Sequence, residues 1–106
     1  MPNLSIKVDR ALISDVQPLL GSIEDTLAAT YGIAVDKCNV MVCEMDTAPH
    51  ACPIYIEFVY RESATNGADK IAMVGKQIAE CLKPMEARIA FRAFAMTAET
   101  LLSKNF

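Results

Sequence analysis

The chain has 106 residues, 53% of them hydrophobic, with only four glycines and five prolines; this suits one folded domain and excludes a disordered chain. A net charge of −3 and the lack of any basic block argue against nucleic acid as a partner. No apolar run approaches the ~18 residues of a membrane span, and no basic-then-apolar leader opens the chain, so the expectation is a cytoplasmic protein that does not engage a membrane.

The first strand is read from Leu4, Ile6 and Val8, which alternate with Asn3, Ser5 and Lys7. A helix follows. Ser14 or Asp15 can cap it, and Pro18 falls in its first turn, where a missing N–H costs little. Leu20, Ile23, Leu27 and Tyr31 mark one helical face, and Gly32 is a natural stop. "CNVMVCEM" reads as a second strand and "DTAPHAC" as a loop. "PIYIEFVY" is the third strand, with Ile54, Ile56 and Phe58 on one face. "TNGADKIAMVGKQIAECL" is the second helix, capped by Thr65 or Asn66, with Ile71, Val74, Ile78 and Leu82 on its apolar face. In "RIAFRAF", Ile89, Phe91 and Ala93 alternate with Arg88, Ala90, Arg92 and Phe94 as the last strand.

A shift of about 50 residues lays the second half on the first: Leu4 falls on Ile54, Ile23 on Val74 and Leu27 on Ile78. The fold class is therefore α+β: two β-α-β repeats, approximately residues 2–46 and 53–96, within a single domain spanning 1–106. They form one four-stranded mixed sheet with two helices on one face. The other face carries Asn3, Ser5, Lys7, Tyr55, Glu57, Arg88 and Arg92 and invites assembly. Cys38, Cys43, Cys52 and Cys81 form no C-x-x-C pair, and His50 is a poor zinc partner, so no metal site is expected. The cysteines read as reduced, mostly buried small hydrophobes.

Pro2 directly after the initiator, the doubled β-α-β unit and the length together resemble the tautomerase superfamily, which includes 4-oxalocrotonate tautomerase and macrophage migration inhibitory factor. "RES" after the third strand and "FRAFAMTAETLLSKNF" at the end look most like an uncharacterised bacterial branch of it. The resemblance implies a homotrimer whose sheets line a central barrel, pockets between subunits, and no cofactor. It also implies that Pro2, once Met1 is trimmed, is a catalytic general base. An α-amino group titrates near 7.7–8.0, and an apolar pocket or nearby cations push it lower, towards a working base.

Three arginines are the candidates to bind a small anionic substrate. Arg92 matches a last-strand position that family members contribute to the neighbouring subunit; a carboxylate-paired barrel lining, with Glu57 or Glu44, is the competing account. Arg61 ends the third strand, near family pocket walls. Arg10 lies close to, but not on, a substrate-binding arginine of the small tautomerases. Other family positions are lost. Asn39 stands where the small enzymes have a second-strand arginine, and Ile33 and Ala90 replace the pocket lysine and tyrosine of the cytokine-like members. His50 lies in the inter-repeat loop, more simply solvated than functional.

The function expected is keto-enol tautomerisation or isomerisation of a small 2-keto or enol carboxylic acid. The alternative is a non-catalytic trimer that binds a small anion or a partner protein. A ferredoxin-like regulatory domain, expected as a dimer, is the weaker third reading.

Overall fold

The computed structural model describes residues 3–97, so Pro2 lies outside the described residues. Strand β1 (Asn3–Asp9) is followed by three short helical turns, Arg10–Leu12, Ile13–Val16 and Gln17–Leu19, and then by helix α1 (Leu20–Tyr31). Strands β2 (Asn39–Met45) and β3 (Ile54–Arg61), helix α2 (Ala68–Cys81) and strand β4 (Ile89–Met96) complete the order. The sheet runs β2-β1-β3-β4. β1 pairs parallel with β2, β3 pairs parallel with β4, and the two halves meet where β1 and β3 run antiparallel. This is the expected doubled β-α-β unit.

Alternation decides which face is covered. Leu4, Ile6 and Val8 of β1 and Ile54, Ile56 and Phe58 of β3 are all 0% exposed beneath the helices. Ile23 and Leu27 of α1 and Val74 and Ile78 of α2 close over them, as their spacing predicts. On the open face Met41 and Phe94 are each 45% exposed, which makes that face more apolar than its polar residues alone suggest. Cys43 shares that face and is exposed, and the other three cysteines are only half-buried. None of the four is buried, where the sequence suggests mostly buried side chains. Only Cys43 lies in a strand; Cys38 and Cys52 sit in connections and Cys81 at the last turn of α2, which leaves each partly open to solvent.

Both helix starts differ from the expected caps. Neither Ser14 nor Asp15 caps α1; Asp9 instead accepts the Ala11 N–H at 3.0 Å and so caps the first turn after β1. Pro18 has no N–H to give, and the chain passes it as a 3-10 turn before the regular helix begins. At α2 the cap is Gly67 without any side-chain bond. Asn66 has another task, described below. Gly32 ends α1 in the left-handed region (φ 62°), as expected of a glycine there.

α2 crosses the sheet closely at Gly75. A Cβ built there would lie 2.9 Å from Cδ1 and Cε1 of Phe91. We therefore expect Gly75→Ala to lower stability by about 1–3 kcal/mol despite alanine's better helix propensity, and Phe91→Leu to recover part of that loss. Gly21→Ala, with open space around it, should raise stability by about 0.5 kcal/mol. Ile78→Ala should cost about 2–5 kcal/mol in chemical unfolding, and a change near zero would mean that its side chain is not in the core.

Candidate functional site

The two parallel strands β1 and β2 begin side by side. Asn3 is opposite Asn39, whose Nδ2 donates to the Asn3 Oδ1 at 2.7 Å. Antiparallel pairing sets Asn3 against Val59, so Arg61, two residues on, ends β3 at this same edge of the sheet. α1 ends here as well. The Tyr31 hydroxyl donates to the Asn66 Oδ1 at 3.0 Å, and the Asn66 Nδ2 donates to the Arg61 carbonyl at 2.9 Å. Asn66 is thus a tie between the end of α1 and the end of β3, which is why it does not cap α2. The Lys70 ammonium sits 4.4 Å from the centre of the Tyr31 ring. Burial pushes the Tyr31 hydroxyl's pKa up, against the lowering effect of its bond to Asn66. In the sequence Tyr31 stands only as the last apolar residue of a helical stripe, and nothing there singles out Lys70. The one available signal was a tyrosine placed directly before a helix-ending glycine.

Arg92 lies in the middle of β4 on the open face, opposite Glu57 in register. Yet Glu57 pairs with Lys7 at 3.6 Å, and Glu44 pairs with Arg10 at 3.3 Å. Neither expected carboxylate holds Arg92. Its Nη1 donates to the carbonyl of Phe91 at 3.0 Å, and among the described residues it has no ion-pair partner. The same is true of Arg61. Both side chains are exposed.

Arg10 is different in place and state. It follows the far end of β1, about 20 Å along the strand from Asn3 at ~3.3 Å per residue. Asp46 accepts from its Nε at 3.2 Å, and Glu44 from its Nη1 at 3.3 Å. Within one chain the fold therefore gathers Arg61 at the end where Asn3 begins, puts Arg92 midway along the edge strand β4, and sends Arg10 to the opposite end. His50 also belongs to that opposite end, exposed in the β2–β3 loop. Among the described residues no three histidine, cysteine or acidic side chains cluster to hold a metal. No helix there is long and apolar enough to cross a membrane.

At the Arg10 end, Asp9 is anchored on both oxygens. The Thr47 hydroxyl donates to Oδ1 at 2.6 Å and the Ala11 N–H to Oδ2 at 3.0 Å. These bonds, that from Thr47 first, hold its pKa below the ordinary carboxylate value. A lowered pKa stabilises the fold at neutral pH, and that contribution is lost as pH falls from the unfolded-state value through the lowered one. Thr47→Val should raise the pH at which the Asp9 carboxyl titrates by NMR; an unchanged titration would contradict the role given to that hydroxyl.

No family model matches this sequence, and no curated protein matches it. Solved structures do match its fold over nearly the whole chain. A macrophage migration inhibitory factor from Toxoplasma gondii shares 13% identity at a TM-score of 0.71, covering 97% of each chain. A domain of unknown function (DUF1904) from Sebaldella termitidis shares 10% identity at 0.72, covering 97% of this chain and 95% of that one. FG41 malonate semialdehyde decarboxylase shares 13% identity at 0.67, covering 98% and 89%. The fold is thus like that of macrophage migration inhibitory factor: a four-stranded mixed sheet with two helices on one face.

Proposed function

We propose that this chain is a cofactor-independent tautomerase acting on a small 2-keto or enol carboxylic acid in a homotrimer. Pro2 supplies the base, Arg61 of the same subunit and Arg92 of a neighbour hold the substrate's carboxylate. The observation that carries the reading is the allocation of charge. Lys7 and Arg10 are committed to carboxylates, whereas the guanidiniums of Arg61 and Arg92 are left without one among the described residues. A guanidinium fork suits both oxygens of a carboxylate. Arg10 can join this site only by leaving Glu44 and Asp46, so its share is the smallest of the three. The half-exposed Met41 and Phe94 on the open face support burial of that face against other copies. The fold match to a malonate semialdehyde decarboxylase inhibited by 3-bromopropiolate supports a small carboxylate as the ligand class.

The chemistry needs no electron transfer. With Met1 removed, the Pro2 nitrogen takes the enol's hydroxyl proton. The oxygen's electrons form the carbonyl, and the electron pair of the C=C bond takes up a proton at carbon from the prolinium. Cations beside the site keep the amine unprotonated beforehand and stabilise the enolate between the two steps.

Ketonisation of phenylenolpyruvate by protein beginning at Pro2 tests this. Pro2→Ala should lower kcat by about 10²–10⁴-fold. Arg92→Ala should lower kcat/KM by about 10–100-fold, the loss of one charge-assisted carboxylate contact. Equal rates for Pro2→Ala and the unaltered protein would leave a non-catalytic anion-binding trimer as the surviving account.

A further inference from the structure

The end of the sheet opposite Asn3 holds a hollow that the proposed tautomerase site does not use. It has a volume of about 460 Å3, within the ~300–1,000 Å3 common for small-molecule sites. Leu12, Pro53 and Met85 give it apolar walls, and Asp9, Glu86 and Arg88 bring charge to it. It forms where the turn after β1, the β2–β3 loop and the α2–β4 connection converge.

Each charged group keeps spare capacity. Asp9 accepts from the Thr47 hydroxyl and the Ala11 N–H, with the Thr47 backbone also bearing on it, so at least one of its four acceptor positions is left open. Arg88 is braced against the loop rim: its Nη2 donates to the Ala51 carbonyl at 3.0 Å, and both Nη atoms lie 3.5 Å from that of His50. Those contacts use at most three of its five N–H donors, and among the described residues it has no ion-pair partner. Arg10, which follows Asp9 in sequence, is already held by Glu44 and Asp46.

This mixture of signs selects the ligand. A bare anion drawn to Arg88 would meet Asp9 and Glu86, and a bare amine drawn to the carboxylates would meet Arg88. Either would pay electrostatic repulsion along with its desolvation. A molecule carrying both charges a few bonds apart satisfies both sides, and an apolar tail can lie along Leu12, Pro53 and Met85. We propose that this hollow binds a small zwitterion with an apolar side chain, of the class of the aliphatic α-amino acids. The site is separate in place and in chemistry from the proposed tautomerase pocket, so either can fail alone.

Titration of the full chain with L-leucine, followed by amide NMR, tests the proposal. Saturable shifts should appear at Thr47, Ala51 and residues 85–88, while Asn3, Asn39 and Asn66 stay still. 4-Methylvalerate, which lacks the ammonium, and isopentylamine, which lacks the carboxylate, should each bind at least about tenfold more weakly. Arg88→Gln should weaken leucine by about tenfold or more. Because that change also loosens the loop rim, Ala51→Phe, which fills the hollow and keeps Arg88, should abolish the shifts with thermal unfolding unchanged. Absence of saturable shifts up to about 50 mM leucine, far weaker than the millimolar affinities of small ligands, would overturn the site. Equal binding of leucine and 4-methylvalerate would overturn the ligand class.

Discussion

One constraint governs the molecule: two helices cover one face of the sheet and nothing in the chain's described residues covers the other. The covered face takes Leu4, Ile6, Val8, Ile54, Ile56 and Phe58 at 0% exposure. Each residue between them is then forced outward by the pleat. Lys7, Glu57 and Arg92 are on the open face because their neighbours are in the core. Any chemistry must therefore be built on that face or at the two ends of the sheet.

The two ends differ in how charge is spent there. At one, Arg10 is closed by Glu44 and Asp46, and Asp9 is fixed by Thr47 and Ala11. At the other, the ties are neutral, from Asn39 to Asn3 and from Tyr31 through Asn66 to the Arg61 backbone. Neutral ties order that edge without consuming the Arg61 guanidinium. Arg92 escapes neutralisation for a related reason. Glu57 stands opposite it, but Lys7 on β1 takes that carboxylate from the other side. An arginine left with no acidic partner on an exposed face attracts an anion from elsewhere, and this links the fold to the carboxylate ligand proposed here.

The strands and helices were legible in the sequence because each carries a clean period over several residues. The repeat made them doubly so, since each half corroborates the other. What the sequence hid depends on distant partners. The sequence suggests one helix capped at Ser14 or Asp15, but Pro18 breaks the backbone ladder there and Asp9, already in β1, caps the first turn at Arg10–Leu12. Asn66 looked like a cap because caps are local, while its real partners are 35 residues back in Tyr31 and five back in Arg61. The commitment of Arg10 follows from strand register, which sets Asp9 against Met45 and so brings Arg10 beside Glu44 and Asp46. Nothing in the local sequence distinguishes it from Arg61 or Arg92.

The central claim is a catalytic site shared between subunits, and subunit mixing addresses it most directly. Pro2→Ala and Arg92→Ala proteins, each strongly impaired alone, would be unfolded together, refolded at equal amounts and assayed with phenylenolpyruvate. If Pro2 of one chain works with Arg92 of its neighbour, random trimers regain about a quarter of the unaltered protein's activity, because one site in four joins two intact residues. A mixture no more active than its parents, with mixed trimers demonstrated by mass, would contradict the account.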